Sequence, residues 1–590
     1  MRHARLRALV CVFMILGSAK AYPYAVATPA TWATETAIDI LKRGGNAVDA
    51  MVAASFVLNV THPALMGIGG GGFFIAAKNG KTISAWNSRE TAPANAHDKM
   101  FLDSEGKPLR HYPEAVTGPN PVGVPGTVLG LWEAHRKLGS MPWKTLLQPA
   151  IKIARAGIPI TGKFEELLES QWPRISAFPT TAALFSDRHG SHLKAGRTFR
   201  NPMLAETFEK IATMGGPAFY QGKLAESWLA EAKKFGVSIT ADDLKNYKVR
   251  EVNPIKYDVF GLRAITMTPP SASGLTVGGT LRYLENYYRT HELPAADSPA
   301  RVIVTNEALR YFAVLRNKTM ADPPHNTIDP QKFLGSADEK KAWTEIDARV
   351  KERLEKIQTA FTFLEVSAPR LALSALNKRR AATRELTTSA SSTTEVESPS
   401  SHTAHLSIVD DNNMGVSYTT TLEEWFGSGI TVTGHGFQLN NELSDFAKEP
   451  GHPNSAAPGK RPRSNMSPHL FFDKNGALVG SIGCAGGARI PTMVVEALEN
   501  FYLHKMTARE ALAYSRFHPT DDGKISVERT MPKATIDSLK DAGYDVDVKE
   551  VFGESALGGT AQAVMRRTAA AAWEAASEPR SDGLGIVMKK

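Results

Sequence analysis

Apolar residues recur at helical spacing over 31–41, and the run stops at Gly44-Gly45. Asn46 is placed to cap a second helix running to residue 60, with Ala47, Ala50, Met51, Ala54 and Leu58 sharing one face. The period changes after Gly67-Ile68-Gly69-Gly70-Gly71-Gly72. Residues 73–78 and 81–87 read as strands joined by Asn79-Gly80, a strong hairpin signal. Residues 125–380 read mostly as helix, most clearly over 143–156, 273–288 and 337–363. Beyond them the pattern returns to alternation and β-formers over 405–410 and 415–422. Two further strands, 467–472 and 477–482, flank a turn at Lys474-Asn475-Gly476, and an amphipathic helix follows over 490–504. Helices before and after paired strands predict a layered α+β fold.

The glycine run at 69–72 lacks the Lys-Ser/Thr ending and the spacing of nucleotide-binding loops, and a helix precedes it, so close backbone packing is the expected use. The first 21 residues break the globular pattern. Arg2, Arg5 and Arg7 precede an apolar run over 8–17, and Ala19-Lys20-Ala21 has the small-x-small form of a cleavage site. Residues 1–21 therefore read as a secretory signal peptide, with an uncleaved tethering helix as the alternative. The four basic residues of that leader account for four of the +9 net charges, leaving a weak +5 on residues 22–590. With no basic run interleaved with aromatics, nucleic-acid binding is not expected. Removal of the leader also removes Cys11 and leaves Cys484 alone, so no intramolecular disulfide can form. His402 and His405 by themselves are too few to close a metal site, and no metal or cofactor is expected.

The tract 387–401 is Ser/Thr-rich, of a composition that predicts flexibility, and ends just before Ser401-His402-Thr403-Ala404-His405. A threonine hydroxyl is a poor nucleophile unless a base sits beside it. One such base is the residue's own α-amine, with an ordinary pKa of roughly 7.7–8.0, which exists only after the preceding peptide bond is cut. Taken alone, a Thr between two His residues is an ordinary structural feature. Read together, several motifs in one order give it a different meaning. They are Leu41-Lys42-Arg43-Gly44-Gly45-Asn46-Ala47-Val48-Asp49-Ala50, the run at 67–72, Arg89-Glu90-Thr91-Ala92-Pro93 and Val124-Pro125-Gly126-Thr127. After Thr403 come Tyr418-Thr419-Thr420-Thr421-Leu422-Glu423, Asn440-Asn441-Glu442-Leu443-Ser444-Asp445-Phe446, Arg461-Pro462 through Met466-Ser467-Pro468, and Gly483-Cys484-Ala485-Gly486-Gly487-Ala488-Arg489. From about residue 25 to 585 the chain resembles the γ-glutamyltransferase family of N-terminal-nucleophile hydrolases.

The resemblance implies an αββα sandwich formed jointly by two chains cut from one precursor. These would be a large subunit, 22–402, with a flexible tail at about 387–402, and a small catalytic subunit, 403–590, paired as a heterodimer. It implies Thr403 as the processing residue and nucleophile, Thr421 as its hydrogen-bond partner, and the N–H groups of Gly486 and Gly487 as an oxyanion hole. Arg89, assisted by Ser464 and Asn465, would take the donor α-carboxylate, and Glu423, Glu442 and Asp445 would surround its ammonium. Read singly, each has a plainer alternative: a surface Arg89, a helix cap at Glu442 and Asp445, a turn at Gly486-Gly487. Cys484 reads as a small buried thiol. The chain departs from the family at Glu423, where many members have Asn, and at Asn465, where a second Ser is usual. The segment between Phe446 and Arg461 is short and carries no aromatic residue, which predicts an open pocket.

The implied activity is hydrolysis or transfer of γ-glutamyl groups from small-molecule donors such as glutathione to water, amino acids or dipeptides. It would take place in the periplasm or outside the cell, without a stable membrane anchor. The alternatives are a glutaryl- or cephalosporin-type acylase, a poly-γ-glutamate-processing enzyme of the same fold, and an unprocessed binding protein.

Overall fold

The computed structural model describes residues 24–78, 81–367, 403–520, 522–551 and 556–588. The leader at 1–21, the Ser/Thr-rich tract and His402 lie outside the described residues.

Two sheets form the centre. The first runs, edge to edge, Leu584–Met588, Tyr24–Thr28, Thr403–Val409, Met414–Thr421, Gly71–Lys78, Lys81–Asn87 and Arg250–Glu251. The second runs Glu574–Ser577, Thr560–Met565, Leu478–Ala485, His469–Phe472, Leu262–Thr266 and Ile255–Val259. Alternation along the strands sorts side chains between two cores. Phe73, Ile75 and Ala77 join the core built with the second sheet and its helices. Phe74, Ala76, Leu406 and Ile408 join the core beneath the helix Ala47–Thr61. Face to face, the sheets meet through small and polar side chains: the Ser481 hydroxyl donates to Ser407 Oγ (3.0 Å) and to the Val416 carbonyl (2.9 Å). A Cβ on Gly483 would fall 2.4 Å from the His405 ring. That close approach makes this a sandwich of two sheets between helical layers.

The helix Ala47–Thr61 begins as the sequence predicts: Asn46 accepts from the N–H groups of Val48 and Asp49, and Asp49 returns a bond to the Asn46 N–H. It is buried on every side rather than on one face. Its alanines let neighbours approach all round, so the narrow apolar stripe under-reads its burial. The described part of 125–380 is mostly helical, as read, with one exception that matters to the sheets. Ile255–Val259 and Leu262–Thr266 form an antiparallel pair in the second sheet. Their period-two burial is present in the sequence, with Ile255, Tyr257 and Val259 inside and Lys256 and Asp258 outside.

The glycine run is used for close approach, as expected. A Cβ on Gly70 would lie 2.0 Å from the Thr421 carbonyl oxygen, and one on Gly72 2.3 Å from that of Thr419. Residues before and after 403 are interleaved in both sheets: Thr403–Val409 pairs with Tyr24–Thr28, Met414–Thr421 with Gly71–Lys78, and His469–Phe472 with Leu262–Thr266. The stretches 22–402 and 403–590 are therefore not separate folding units.

Candidate active site

Thr403 opens a strand inside the first sheet, 5% exposed, with Thr421 directly opposite it. The Thr403 hydroxyl donates to Thr421 Oγ1 at 3.2 Å. Thr421 Oγ1 also accepts from the Glu423 backbone N–H at 2.8 Å. That second bond requires the chain to turn sharply, and Glu423 has φ of +81°, a conformation few non-glycine residues adopt.

Across the sandwich, Ser407 faces Ser481 and His405 faces Gly483. Continuing the same two-residue step puts Ala485 level with Thr403. Gly486 and Gly487 thus follow just beyond the end of the Thr403 strand. Both have positive φ (139° and 56°), which turns the chain from the strand Leu478–Ala485 into the helix Ile490–Leu498. Gly486 packs against Gly559, where an added Cβ would come within 2.9 Å of the facing backbone. His405 is neutral: burial brings its pKa down to about 3. Cys484 is fully buried, and burial pushes its thiol pKa up. Both are structural parts of the sandwich.

Arg89 lies at the end of the strand Lys81–Asn87 and is 1% exposed. Its Nη1 is paired with Glu442 and its Nη2 with Asp445 at 2.5 Å. Nε and Nη2 also donate to the carbonyls of Pro462 (3.2 Å) and Arg463 (2.8 Å). Tyr247 fixes the arginine backbone by donating to its carbonyl at 2.9 Å. The structure thus brings Arg89, Glu442 and Asp445 together as one ion cluster, buried at Arg89 and Glu442 and half-buried at Asp445, with Ser464 next to the Pro462-Arg463 carbonyls. Ser464 Oγ accepts from the Met466 N–H (3.2 Å), and Asn465 Oδ1 accepts from Arg316. Glu442 and Asp445 sit in the short 3-10 turn Glu442–Asp445, which Asn440 ties to the glycine run by donating to the Gly69 carbonyl at 2.7 Å.

Glu423 completes the acidic side. Ser444 donates to its carboxylate at 3.2 Å. Burial, followed by the charges of Glu424, Asp445 and Glu442, raises its pKa well above the carboxylate range. Residues 447–460 pack on the loop around 92–109, through Lys448 to the Leu109 carbonyl (2.8 Å) and Gly459 to the Ala92 carbonyl (2.9 Å). His111 stands on the acidic side, its Nε2 4.0 Å from Glu423 and 3.7 Å from Glu424. Among the described residues, His111, Glu423 and Glu424 are also the one group of three metal-capable side chains close together.

Sequence reasoning passed over Glu90, His111 and Glu424. Glu90 stood inside a quoted motif, but a charged residue next to another looks like surface. His111 and Glu424 carried no local signal, since they meet only through the fold.

Paired sheets between helices, with a threonine at the head of a central strand and a diglycine turn beside it, define an N-terminal-nucleophile hydrolase. The sequence profile of the gamma-glutamyltranspeptidase family matches residues 33–588, and the chain belongs to that family. It is 34% identical to a glutathione hydrolase proenzyme of Pseudomonas aeruginosa over 96% of this chain and 94% of the relative. It is 33% identical to a glutathione hydrolase proenzyme of Escherichia coli over 90% of this chain and 87% of the relative. Among solved structures, a cephalosporin acylase from Bacillus halodurans superposes with a TM-score of 0.80 at 24% identity, covering 100% of this chain and 98% of that one, a likeness of fold alone.

Proposed function

We propose that the chain is an autoprocessing γ-glutamyl hydrolase and transpeptidase acting on glutathione and related γ-glutamyl amides. The observation that carries this reading is the hydrogen-bonded Thr403–Thr421 pair, set within a family whose members include glutathione hydrolase proenzymes. Processing releases the Thr403 α-amine, and the fragments 22–402 and 403–590 stay together because their strands alternate in both sheets. The amine takes the Thr403 hydroxyl proton as Oγ1 attacks the γ-carbonyl. Thr421 orients the attacking oxygen. The N–H groups of Gly486 and Gly487 receive the developing oxyanion. Collapse expels the leaving amine, which takes the proton, and leaves a γ-glutamyl ester on Thr403. Water or an acceptor amine then attacks the ester.

Arg89 receives the donor α-carboxylate with help from Ser464 and Asn465, and the ammonium enters among Glu423, Glu442 and Asp445. Binding therefore exchanges part of the Arg89 ion cluster for the zwitterion of the donor. A charged pocket of this kind favours an α-amino acid over a plain diacid. A chromogenic γ-glutamyl anilide should be turned over at least about tenfold faster than the matching glutaryl anilide, the scale of one charge-assisted contact. Equal or reversed rates would instead support an acylase. The leader pattern supports a periplasmic or secreted location, and among the described residues no helix is long and apolar enough to cross a membrane.

Residues 447–460 include Pro450, Pro453 and Pro458 and no large apolar side chain to seal the ester from water. Hydrolysis should compete well with transfer. With glycylglycine at neutral pH, product partition should stay hydrolytic at low acceptor concentration. Transfer product dominating under those conditions would show that the existing cover suffices.

A further inference from the structure

Beside the Arg89 cluster lies a carboxyl group that the proposed chemistry does not use. Glu90 is fully buried. Two glycines make the room for it: a Cβ on Gly71 would lie 2.6 Å from Glu90 Oε2, and one on Gly123 2.9 Å from Glu90 Cβ. Neither Glu90 oxygen has an N–H or O–H donor, and Oε2 of Glu442 has none either. Both carboxyls are buried in the same cluster around Arg89, with the other oxygen of Glu442 on its guanidinium. Ionised carboxylates are acceptors only, so two of them in contact in a dry site leave both unsatisfied. A single proton turns one into an O–H donor and satisfies both.

We propose that Glu90 is a positioning residue of the donor pocket, sharing one proton with Glu442, and that this proton sets the charge against which Arg89 is balanced when the donor carboxylate arrives. The inference rests on the assignment of Arg89 to that carboxylate. With the proton in place, Arg89 faces one negative charge from the pair and one from Asp445. Without it the pair carries two, and the donor carboxylate meets an extra repulsion. Other groups around Glu90 hold their charge state through neutral pH. Arg461 donates to the Asn87 carbonyl (2.8 Å), and burial raises the pKa values of Tyr220, Tyr247 and Tyr418. Burial raises the pKa values of both Glu90 and Glu442 against the pull of Arg89, so the pair holds a proton where free carboxylates are ionised.

The donor KM of the wild-type enzyme should therefore rise with pH as the shared proton is lost, by about tenfold for one unit of proton coupling. Glu90→Gln places a permanent amide donor toward Glu442 and should remove that rise, while the pH profile of kcat keeps the shape set by the Thr403 amine. Glu423 titrates in both enzymes, so the readout is the difference between the two KM profiles. Infrared spectra at pH 6 should show one protonated-carboxyl stretch in the wild type that Glu90→Gln lacks, over the Glu423 contribution that both share. Should that variant fail to fold, Glu442→Gln removes the same shared proton from the other side and must lose the same band. Superimposable KM profiles, or wild-type and variant spectra that do not differ by that stretch, would overturn the proposal. The band does not depend on turnover, so an enzyme inactive on γ-glutamyl amides would refute the functional reading while the band still decides the shared proton.

Discussion

Thr403→Ala should yield one uncut polypeptide without γ-glutamyl turnover. One hydroxyl is asked to do two jobs. It attacks the carbonyl before it to cut the chain, and, once it heads the new chain, it attacks the donor. Removing a nucleophile costs about 10⁴-fold or more in kcat, because binding and the oxyanion hole alone retain little of the rate. The fold should survive: Thr403 is a strand residue whose one described side-chain bond is the 3.2 Å contact to Thr421. Thr421→Ala should slow cleavage and turnover together, since the same bond orients the hydroxyl in both. Electrophoresis and a γ-glutamyl-anilide assay check both variants. A two-chain product from Thr403→Ala would remove the basis of the assignment.

The second large effect is at Arg89. Deleting the side chain would strand Glu442 as a buried unpaired acid beside the half-buried Asp445, a loss of about 3–5 kcal/mol that mixes stability with binding. Arg89→Lys is the cleaner variant. It keeps the charge but cannot span Glu442, Asp445 and the Pro462 and Arg463 carbonyls with one planar fork. Losing a charged hydrogen bond of about 1.5–3 kcal/mol should raise the donor KM by about 10–150-fold. Cleavage should persist, because Arg89 acts on the donor and not on the scissile bond. Unchanged donor kinetics in a cleaved Arg89→Lys enzyme would refute the role.

Much of this arrangement is legible along the chain, and the gaps have physical causes. The strand pair Gly71–Lys78 and Lys81–Asn87, the capping box at Asn46 and the helix Trp143–Ala156 are set by local chemistry and stand where the pattern puts them, while the turn Asn79-Gly80 lies outside the described residues. The strands Ile255–Val259 and Leu262–Thr266 were masked by helical neighbours, and only long-range pairing with His469–Phe472 gives them their place in the sheet. Leu584–Met588 closes against Tyr24–Thr28 across nearly the whole sequence, which no local window can reveal. At the site, the motifs locate Thr403, Thr421 and Arg89 but not their electrostatics. That Arg89 is saturated by Glu442 and Asp445, and that His111 lies 4.0 Å from Glu423, depends on segments far apart in sequence.

The most direct test of the central claim is mass spectrometry of the purified enzyme, quenched during turnover of a γ-glutamyl donor. A fragment beginning at Thr403 and carrying one γ-glutamyl group on its first residue is the predicted result. An active enzyme that is a single uncut chain, or one that carries the acyl group on any other residue, would contradict it.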